Sequence, residues 1–270
     1  MTSIAGEVLL DVSKVSQTLG GTKILAGVSF QIIDRVRADV VTGQVVALLG
    51  PSGVGKTRLL RILAGLDAPD AGTVRGKDGV ELLQGSVGFV FQDYPLLRHR
   101  TVRSNLELAG RIAGMAPADT VKRADRLMET FQLAERADFY PAQLSGGQRQ
   151  RVAIAQQIMQ PRQLLLMDEP FSGLDPAALA KVASLVVEVA NLDDLNTIVV
   201  VTHDIRTAMV VSDTVHMLGR DRSGGKIVPG ARVKESYDMV ERGLAWRRGV
   251  EQSQDFLELE REISAKFQEL

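Results

Sequence analysis

The segment at residues 50–57 has the clearest chemical pattern in the sequence, Gly-Pro-Ser-Gly-Val-Gly-Lys-Thr. Its glycines allow the backbone to curl so that successive N–H groups face phosphate oxygens. A helix that begins there would add the positive end of its dipole. The Lys56 ammonium can contact the outer phosphates of a nucleotide, and the Thr57 hydroxyl can bind a magnesium ion. The segment therefore predicts a phosphate-binding loop.

The flanking residues decide between this loop and a glycine-rich turn that binds nothing. An apolar run at 45–49 predicts a strand before the segment, and the spacing at 59–63 predicts a helix after it. That context is typical of a P-loop. We therefore predict that the chain binds ATP and hydrolyses it. The residues predicted to contact the nucleotide are those of this segment and the arginine directly after it: Gly50, Pro51, Ser52, Gly53, Val54, Gly55, Lys56, Thr57 and Arg58.

Two adjacent carboxylates, Asp168 and Glu169, follow an apolar run at 164–167. A buried strand delivers such residues to the carboxyl end of a sheet, where the ligands of open α/β folds collect. Asp168 is predicted to hold magnesium and Glu169 to act as the general base on the attacking water. A strand that ends in Asp-Glu is by itself more often a solvated strand end. Beside a P-loop, it predicts the second half of a hydrolytic site.

A third segment, Leu-Ser-Gly-Gly-Gln at 144–148, places small residues before a predicted helix. Such a segment can bind an anion, although in isolation it reads as a flexible turn. In a chain with a P-loop and an Asp-Glu strand, it resembles the signature of ATP-binding cassette (ABC) ATPases, and we call it the signature segment. The residues that this resemblance places on the nucleotide are Ser145, Gly146, Gly147 and Gln148.

The resemblance implies roles for three further parts of the chain. Gln92 looks like the Q-loop glutamine, which in the family contacts magnesium and the attacking water. Residues 172–175 resemble the D-loop, which meets the opposite protomer. His203 looks like the switch histidine at the γ-phosphate, although an isolated histidine at a strand end is more often structural. The predicted catalytic residues are Lys56, Gln92, Glu169 and His203, and the predicted metal ligands are Thr57, Gln92 and Asp168.

Leu19 marks a departure from the family pattern. The family usually places an aromatic ring there to stack on adenine, and Leu19 has no Tyr, Trp or Phe near it in the sequence. Adenine is therefore predicted to pack on an aliphatic side chain, without the roughly 1 kcal/mol that an aromatic pair adds beyond area burial.

These site residues require a sheet that brings them to one edge. Nearly continuous apolar runs at 87–91, 164–167 and 197–201 predict parallel strands that are covered on both faces. The runs at 8–12 and 28–33 predict antiparallel strands before this core. The fold class predicted is α/β, a P-loop NTPase core with a mostly parallel sheet, an N-terminal antiparallel β subdomain and an inserted α-helical subdomain.

The predicted domain division places an ATPase domain at 5–219, with its helical insert at about 93–160. A charged tail at 220–270 is predicted to end in an amphipathic helix. We favour docking of that helix on the chain's own core over a regulatory or partner-binding role. Its apolar stripe comprises Phe256, Leu259, Ile263, Phe267 and Leu270.

Composition narrows the class of protein. The 270 residues have a net charge of −1, which gives no basic footprint for nucleic acid. The absence of cysteine excludes disulfides and thiolate metal sites. No apolar run approaches the length needed to span a bilayer. A peripheral location at the cytoplasmic face of the cell membrane is therefore expected if a partner tethers the chain.

The resemblance also implies partners. The signature segment cannot reach its own P-loop if the helical insert projects sideways, and family members enclose two ATP molecules between head-to-tail protomers. The resemblance therefore implies a homodimer or a heterodimer with a related subunit. Residues 92–105 look like importer cassettes, especially those of the nitrate, sulfonate and taurine type. On that interpretation the surface at 94–100 receives an integral membrane permease, and a substrate-binding protein belongs to the same assembly.

Three alternatives predict features that can be sought in the sequence. A non-transport ABC ATPase acting on nucleic acid or ribosomes would be expected to show a long coiled coil, a zinc motif or tandem cassettes, and this chain shows none. A P-loop kinase would not be expected to contain the signature segment. A nucleotide-binding scaffold would usually lack Glu169 or His203, and both are present.

Overall fold

The structure is a computed structural model that describes residues 4–36, 43–160, 162, 164–172, 184, 186, 189–190, 197–245, 247 and 249–270. Nine strands in these residues form one sheet in the spatial order β4-β1-β2-β9-β8-β3-β7-β6-β5. The strands are β1 (Ile4–Leu19), β2 (Thr22–Val36), β3 (Gln44–Leu49), β4 (Ala71–Gly76), β5 (Gly88–Val90), β6 (Leu164–Asp168), β7 (Thr197–Thr202), β8 (Thr214–Ser223) and β9 (Lys226–Asp238). The described α-helices are α1 (Lys56–Leu63), α2 (Val102–Ile112), α3 (Pro117–Thr130), α4 (Gly146–Gln157), α5 (Ile205–Val211) and α6 (Gln254–Gln268).

The centre of the sheet is parallel, as the apolar runs predict. β3 pairs in parallel with β7 and β8, and β6 pairs in parallel with β7 and β5. Every residue of β3 is buried, because alternate side chains enter two different hydrophobic clusters on opposite faces of the sheet. The carboxyl ends of β3, β6 and β7 consequently meet at one edge.

The N-terminal strands form the predicted antiparallel subdomain. β1 and β2 pair as one long antiparallel hairpin, and β4 adds to the other edge of β1. The hairpin turns at Gly20 and Gly21, whose φ values of +53° and +78° lie in the left-handed region that glycine tolerates. This turn leaves Leu19 at the tip of the hairpin.

Residues 93–160, all of which are described, contain α2, α3 and α4 and no strand. This agrees with the predicted helical insert. Asn105 on α2 is fully buried, and its amide accepts a hydrogen bond from the Leu97 N–H and donates to the Arg100 and Thr101 carbonyls. Asn105 therefore shapes the loop that precedes α2.

The C-terminal part of the chain joins the sheet. The boundary predicted at residue 219 falls inside β8, because Gly224 and Gly225 turn a hairpin and β9 returns antiparallel to β8. β9 also touches β2 through the parallel pair Leu25 and Ala231. The prediction that the terminal helix docks on the chain's own core is confirmed. The stripe residues buried in that core are Phe256, Leu259 and Ile263, and those packed at its edge are Phe267 and Leu270.

Across the described residues, no helix combines the length and the apolar character needed to cross a membrane.

Candidate functional site

The loop between β3 and α1 has the backbone that its glycines predict. Gly55 precedes α1 with a φ of +114°, and Gly53 has a φ of +75°. A Cβ added at Gly55 would lie 2.9 Å from Cγ2 of Ile24. An alanine at 55 would thus be strained in its backbone and crowded by its neighbour. The loop and the start of α1 need glycine there.

Lys56 is the buried cation of the loop, with 5% of its side chain exposed. Its Nζ donates hydrogen bonds to the carbonyls of Gly50 at 2.8 Å and Pro51 at 3.1 Å, and it lies 3.4 Å from Oε1 of Glu169. Burial lowers the pKa of Lys56, whereas Glu169 and Asp168 act in the opposite direction. A phosphate in the same place would add to that opposition and favour the ammonium form.

Thr57 and Asp168 bring a hydroxyl and a carboxylate together. The Thr57 hydroxyl donates to Oδ1 of Asp168 at 3.1 Å. Burial raises the pKa of Asp168, and the hydrogen bond from Thr57 opposes this change. Hydroxyl and carboxylate oxygens are ligands that Mg²⁺ accepts beside water and substrate phosphates, so this pair fits the ion chemically.

Glu169 lies at the junction of the lysine and the histidine. One carboxylate oxygen faces Lys56, and the other lies 2.9 Å from Nδ1 of His203. The backbone of Glu169 has a φ of +48°, a conformation that costs a residue other than glycine about 1–3 kcal/mol. Its N–H donates to the Val201 carbonyl on β7, and its carbonyl accepts from the Ser172 N–H. The surrounding contacts hold a strained residue in a fixed place.

Lys56, Thr57, Glu169 and His203 line a cleft of about 420 Å³, within the usual size range of small-molecule sites, and Asp168 lies behind Thr57 without lining it. We call it the nucleotide cleft. The lining residues are Leu19, Ile24, Ser52, Gly53, Gly55, Lys56, Thr57, Arg58, Gln92, Glu169, Ser172 and His203. Leu19, Gln92 and His203, which are predicted site residues from separate parts of the chain, all line this cleft. Of the D-loop prediction, only Ser172 can be placed, since 173–175 lie outside the described residues.

The signature segment lies elsewhere. Ser145 begins α4, its hydroxyl oxygen accepts the Gln148 N–H at 3.2 Å, and Oε1 of Gln148 accepts the Ser145 N–H at 2.9 Å. This reciprocal pair is a capping box, which fixes the start of the helix. None of Ser145, Gly146, Gly147 and Gln148, all of them described, lines the nucleotide cleft. Ser145 and Gly146 are exposed to solvent.

Sequence reasoning missed two contacts with the site. Nε2 of Gln150 on α4 donates to the carbonyl of Pro170, the residue after Glu169, at 2.7 Å. Arg220 on β8 donates to the carbonyl of Gly53 at 2.7 Å. Both join residues far apart in the chain, and a local motif contains no signal for either. Only the fold brings them together.

A P-loop between a parallel strand and a helix, with carboxylates after β6 and a histidine after β7, defines a P-loop nucleoside triphosphatase. The chain belongs to the ABC transporter family, because the model of the family described as "ABC transporter" matches residues 33–172, just over half of the chain.

Relatives of this chain are ATP-binding proteins of importers. A probable sulfate/thiosulfate import ATP-binding protein CysA from Chlorella vulgaris is 40% identical over 78% of this chain and 89% of that protein. The sulfate/thiosulfate import protein CysA from Mesostigma viride is 36% identical over 78% of this chain. The aligned part spans 60% of the length of the Mesostigma viride protein.

Two solved structures share the fold. One is part of the ABC transporter complex cbiONQ from Clostridium perfringens, with a TM-score of 0.71, 27% identity and coverage of 88% of this chain and 91% of that one. The other is a dimeric, post-hydrolysis ATP-binding cassette bound to ADP and phosphate. It has a TM-score of 0.66, 28% identity and coverage of 86% of this chain and 99% of that one. Family membership and fold together imply that the chain binds ATP.

Proposed function

We propose that this chain is the ATP-hydrolysing subunit of an ABC importer and works as a head-to-tail dimer on a membrane permease. One observation carries the proposal. Lys56, Glu169 and His203 meet in the nucleotide cleft, whereas no residue of the signature segment of the same chain lines it. A complete site therefore needs the signature segment of a second chain, so two chains would enclose two ATP molecules.

Three side chains in the cleft have a chemical part in the proposed hydrolysis. Water attacks the γ-phosphorus, the bond to the ADP oxygen breaks, and the proton of the water passes to the Glu169 carboxylate. Lys56 balances the charge of the phosphates. His203 holds the second carboxylate oxygen of Glu169, which orients the base.

Magnesium fits the same cleft. Thr57, Asp168 and Gln92 offer hydroxyl, carboxylate and amide oxygens that would hold the ion. When bound, the ion would neutralise charge on the phosphate oxygens.

A second groove supports contact with a permease. It has a volume of about 500 Å³ and runs between the segment after Gln92 and the start of α4. We call it the Tyr94 groove. Its described lining combines apolar and charged side chains, which suits a short amphipathic segment of a partner. The lining residues are Asp93, Tyr94, Pro95, Leu96, Arg98, Pro141, Ala142 and Arg149. A permease seated there would hold the chain at the cytoplasmic face of the membrane.

The relatives support import. Those reported are named for sulfate and thiosulfate import, which favours an importer over an ABC ATPase acting on nucleic acid or ribosomes. The narrower resemblance to the nitrate, sulfonate and taurine type stays a prediction.

The substitution Glu169→Gln tests the catalytic and dimeric parts together. Because the amide cannot accept the proton of the attacking water, we expect ATP turnover to fall at least about a hundredfold while ATP binding persists. Unhydrolysed ATP should then trap a dimer, measured by size-exclusion chromatography with light scattering. Glu241→Gln, an exposed surface substitution, is the matched control. Turnover at the wild-type rate would remove Glu169 from its role, and a variant that stays monomeric with ATP would contradict the dimer.

A further inference from the structure

The carbonyl of Pro170 joins the helical insert to the residue that follows the proposed base. Pro170 is buried, and its oxygen accepts a hydrogen bond from Nε2 of Gln150 at 2.7 Å. The Tyr94 hydroxyl donates to the same oxygen over a longer distance, 3.4 Å. Gln150 is 1% exposed and lies one turn into α4, the helix that Ser145 caps.

This hydrogen bond acts where the backbone is strained. Glu169 has a φ of +48°, and such a conformation persists only where the surroundings over-determine it. Pro170 has no N–H, so its carbonyl is the backbone group through which a neighbour can hold the residue. The turn is closed on its other side by the Ser172 N–H, which donates to the Glu169 carbonyl at 3.2 Å. The Gln150 amide therefore fixes the peptide between Pro170 and Phe171, and through Pro170 it restrains the backbone of Glu169.

Gln150 does not line the nucleotide cleft. An effect on chemistry must therefore pass through the Pro170 carbonyl to the backbone of Glu169. Without the amide, this buried carbonyl would keep only the long contact to Tyr94 among the hydrogen bonds described here, and a poorly satisfied buried acceptor favours rearrangement of its peptide. The carboxylate would then lose its fixed position between Lys56 and His203.

We propose that Gln150 is a positioning residue for Glu169, and that it holds the carboxylate in its hydrolytic place by donating to the Pro170 carbonyl. The inference rests on the proposed function, because it assumes that Glu169 is the base. It assigns to the body of α4 a task distinct from that of the signature segment at its N-terminus. A purely structural glutamine would instead affect stability and nucleotide binding along with turnover.

The substitution Gln150→Met tests the proposal, since methionine has a similar length and lacks the donor. We expect kcat for ATP to fall about tenfold, with the Kd for ATP changed less than about twofold, because a group that acts only on the chemical step lowers kcat without removing ground-state binding. Gln156→Met is the matched control on the same helix, because the Gln156 side chain makes no hydrogen bond with the residues that the structure describes. Thermal unfolding is measured for both variants.

A double-mutant cycle separates positioning from a general structural effect. In the Glu169→Gln background, followed by single-turnover measurements with radiolabelled ATP, adding Gln150→Met should cause no further fall. A further tenfold fall would show that Gln150 acts independently of Glu169 and would overturn the proposal. Should Gln150→Met fail to fold, Gln150→Glu keeps the shape of the side chain and replaces the donor by an acceptor, and the same loss of kcat is expected.

The two proposals fail in different ways. If Glu169→Gln retains wild-type turnover, the proposed catalytic site is wrong whatever Gln150 does. If Glu169→Gln loses turnover while Gln150→Met and Gln150→Glu retain it, the site stands and the positioning role falls. A fall in ATP affinity or in unfolding temperature that matches the fall in kcat would also overturn the positioning role.

Discussion

At the scale of single residues, Leu19 gives the nucleotide cleft an aliphatic wall. It lies at the end of β1, lines the cleft near Ile24 and is 38% exposed. An aliphatic side chain offers adenine dispersion contacts but no π-face, so stacking is absent at this position. On the prediction that Leu19 faces adenine, the base would gain no stacking contact, whereas the phosphates would meet Lys56 and the backbone N–H groups of the P-loop.

The substitution Leu19→Tyr should supply the missing ring. We expect ATP to bind about fivefold more tightly, since an aromatic pair adds roughly 1 kcal/mol beyond area burial. Isothermal titration calorimetry with ATP measures the change, and Leu83→Tyr, at an exposed leucine that does not line the cleft, is the control. An unchanged or weaker affinity would mean that Leu19 does not face adenine.

At the scale of elements, β8 contacts the P-loop through a hydrogen bond. The Arg220 guanidinium donates to the carbonyl of Gly53, a residue with a φ of +75°. A charged donor on a neighbouring strand limits how far this carbonyl can turn. The loop before α1 is consequently stabilised by two side chains, Arg220 from β8 and Lys56 from α1.

Removal of the hydrogen bond between Arg220 and the Gly53 carbonyl should weaken nucleotide binding. For Arg220→Met we expect the KM for ATP to rise about threefold to tenfold while kcat changes less, since a hydrogen bond to a charged group contributes about 1.5–3 kcal/mol when buried and less when solvated. Steady-state kinetics measure the effect, and Arg222→Met on the same strand is the matched control. Equal effects of both substitutions would point to general surface charge rather than to the Gly53 contact.

Local sequence patterns predict some elements of this fold and miss others. The P-loop and the capped start of α4 are contiguous segments, and strand and helix periodicity surrounds them, so local patterns identified them. β9 was assigned to a charged tail because most of its side chains are exposed, which removes the apolar run that marks a strand. The Gln150 contact joins α4 to Pro170, two residues after β6, and the apolar periodicity of the sequence contains no signal for a single polar pairing of this kind.

The whole molecule buries one of its three histidines. His216 on β8 is packed against Phe30 and lies 2.7 Å, through Nδ1, from the Ser236 hydroxyl. Burial lowers the pKa of His216 from 6.5 to about 4. The folded protein therefore holds this ring neutral at a pH where the unfolded chain binds a proton.

The free energy of unfolding should decrease as the pH is lowered, because His216 takes up a proton in the unfolded chain and stays neutral in the folded one. Between pH 6.5 and 4 the unfolded state binds more protons at this site, so the free energy of unfolding decreases as the pH falls, by about 2 kcal/mol between pH 7.5 and 5. Above pH 6.5 the contribution is complete, and below pH 4 it changes no further.

Urea unfolding at two pH values measures this loss. His216→Gln should reduce the difference between the two pH values, whereas His99→Gln, at an exposed histidine, should preserve it. An undiminished pH dependence in His216→Gln would assign the acid sensitivity to other groups.

The position of the signature segment outside the nucleotide cleft has a consequence for the dependence on ATP concentration. In the proposed dimer each ATP bridges two chains, so one closed assembly consumes two nucleotides at once. By mass action, the closed fraction then rises with the square of the ATP concentration while nucleotide is scarce. Formation of the proposed dimer would therefore decline more steeply than the nucleotide occupancy of a single chain as the ATP concentration falls.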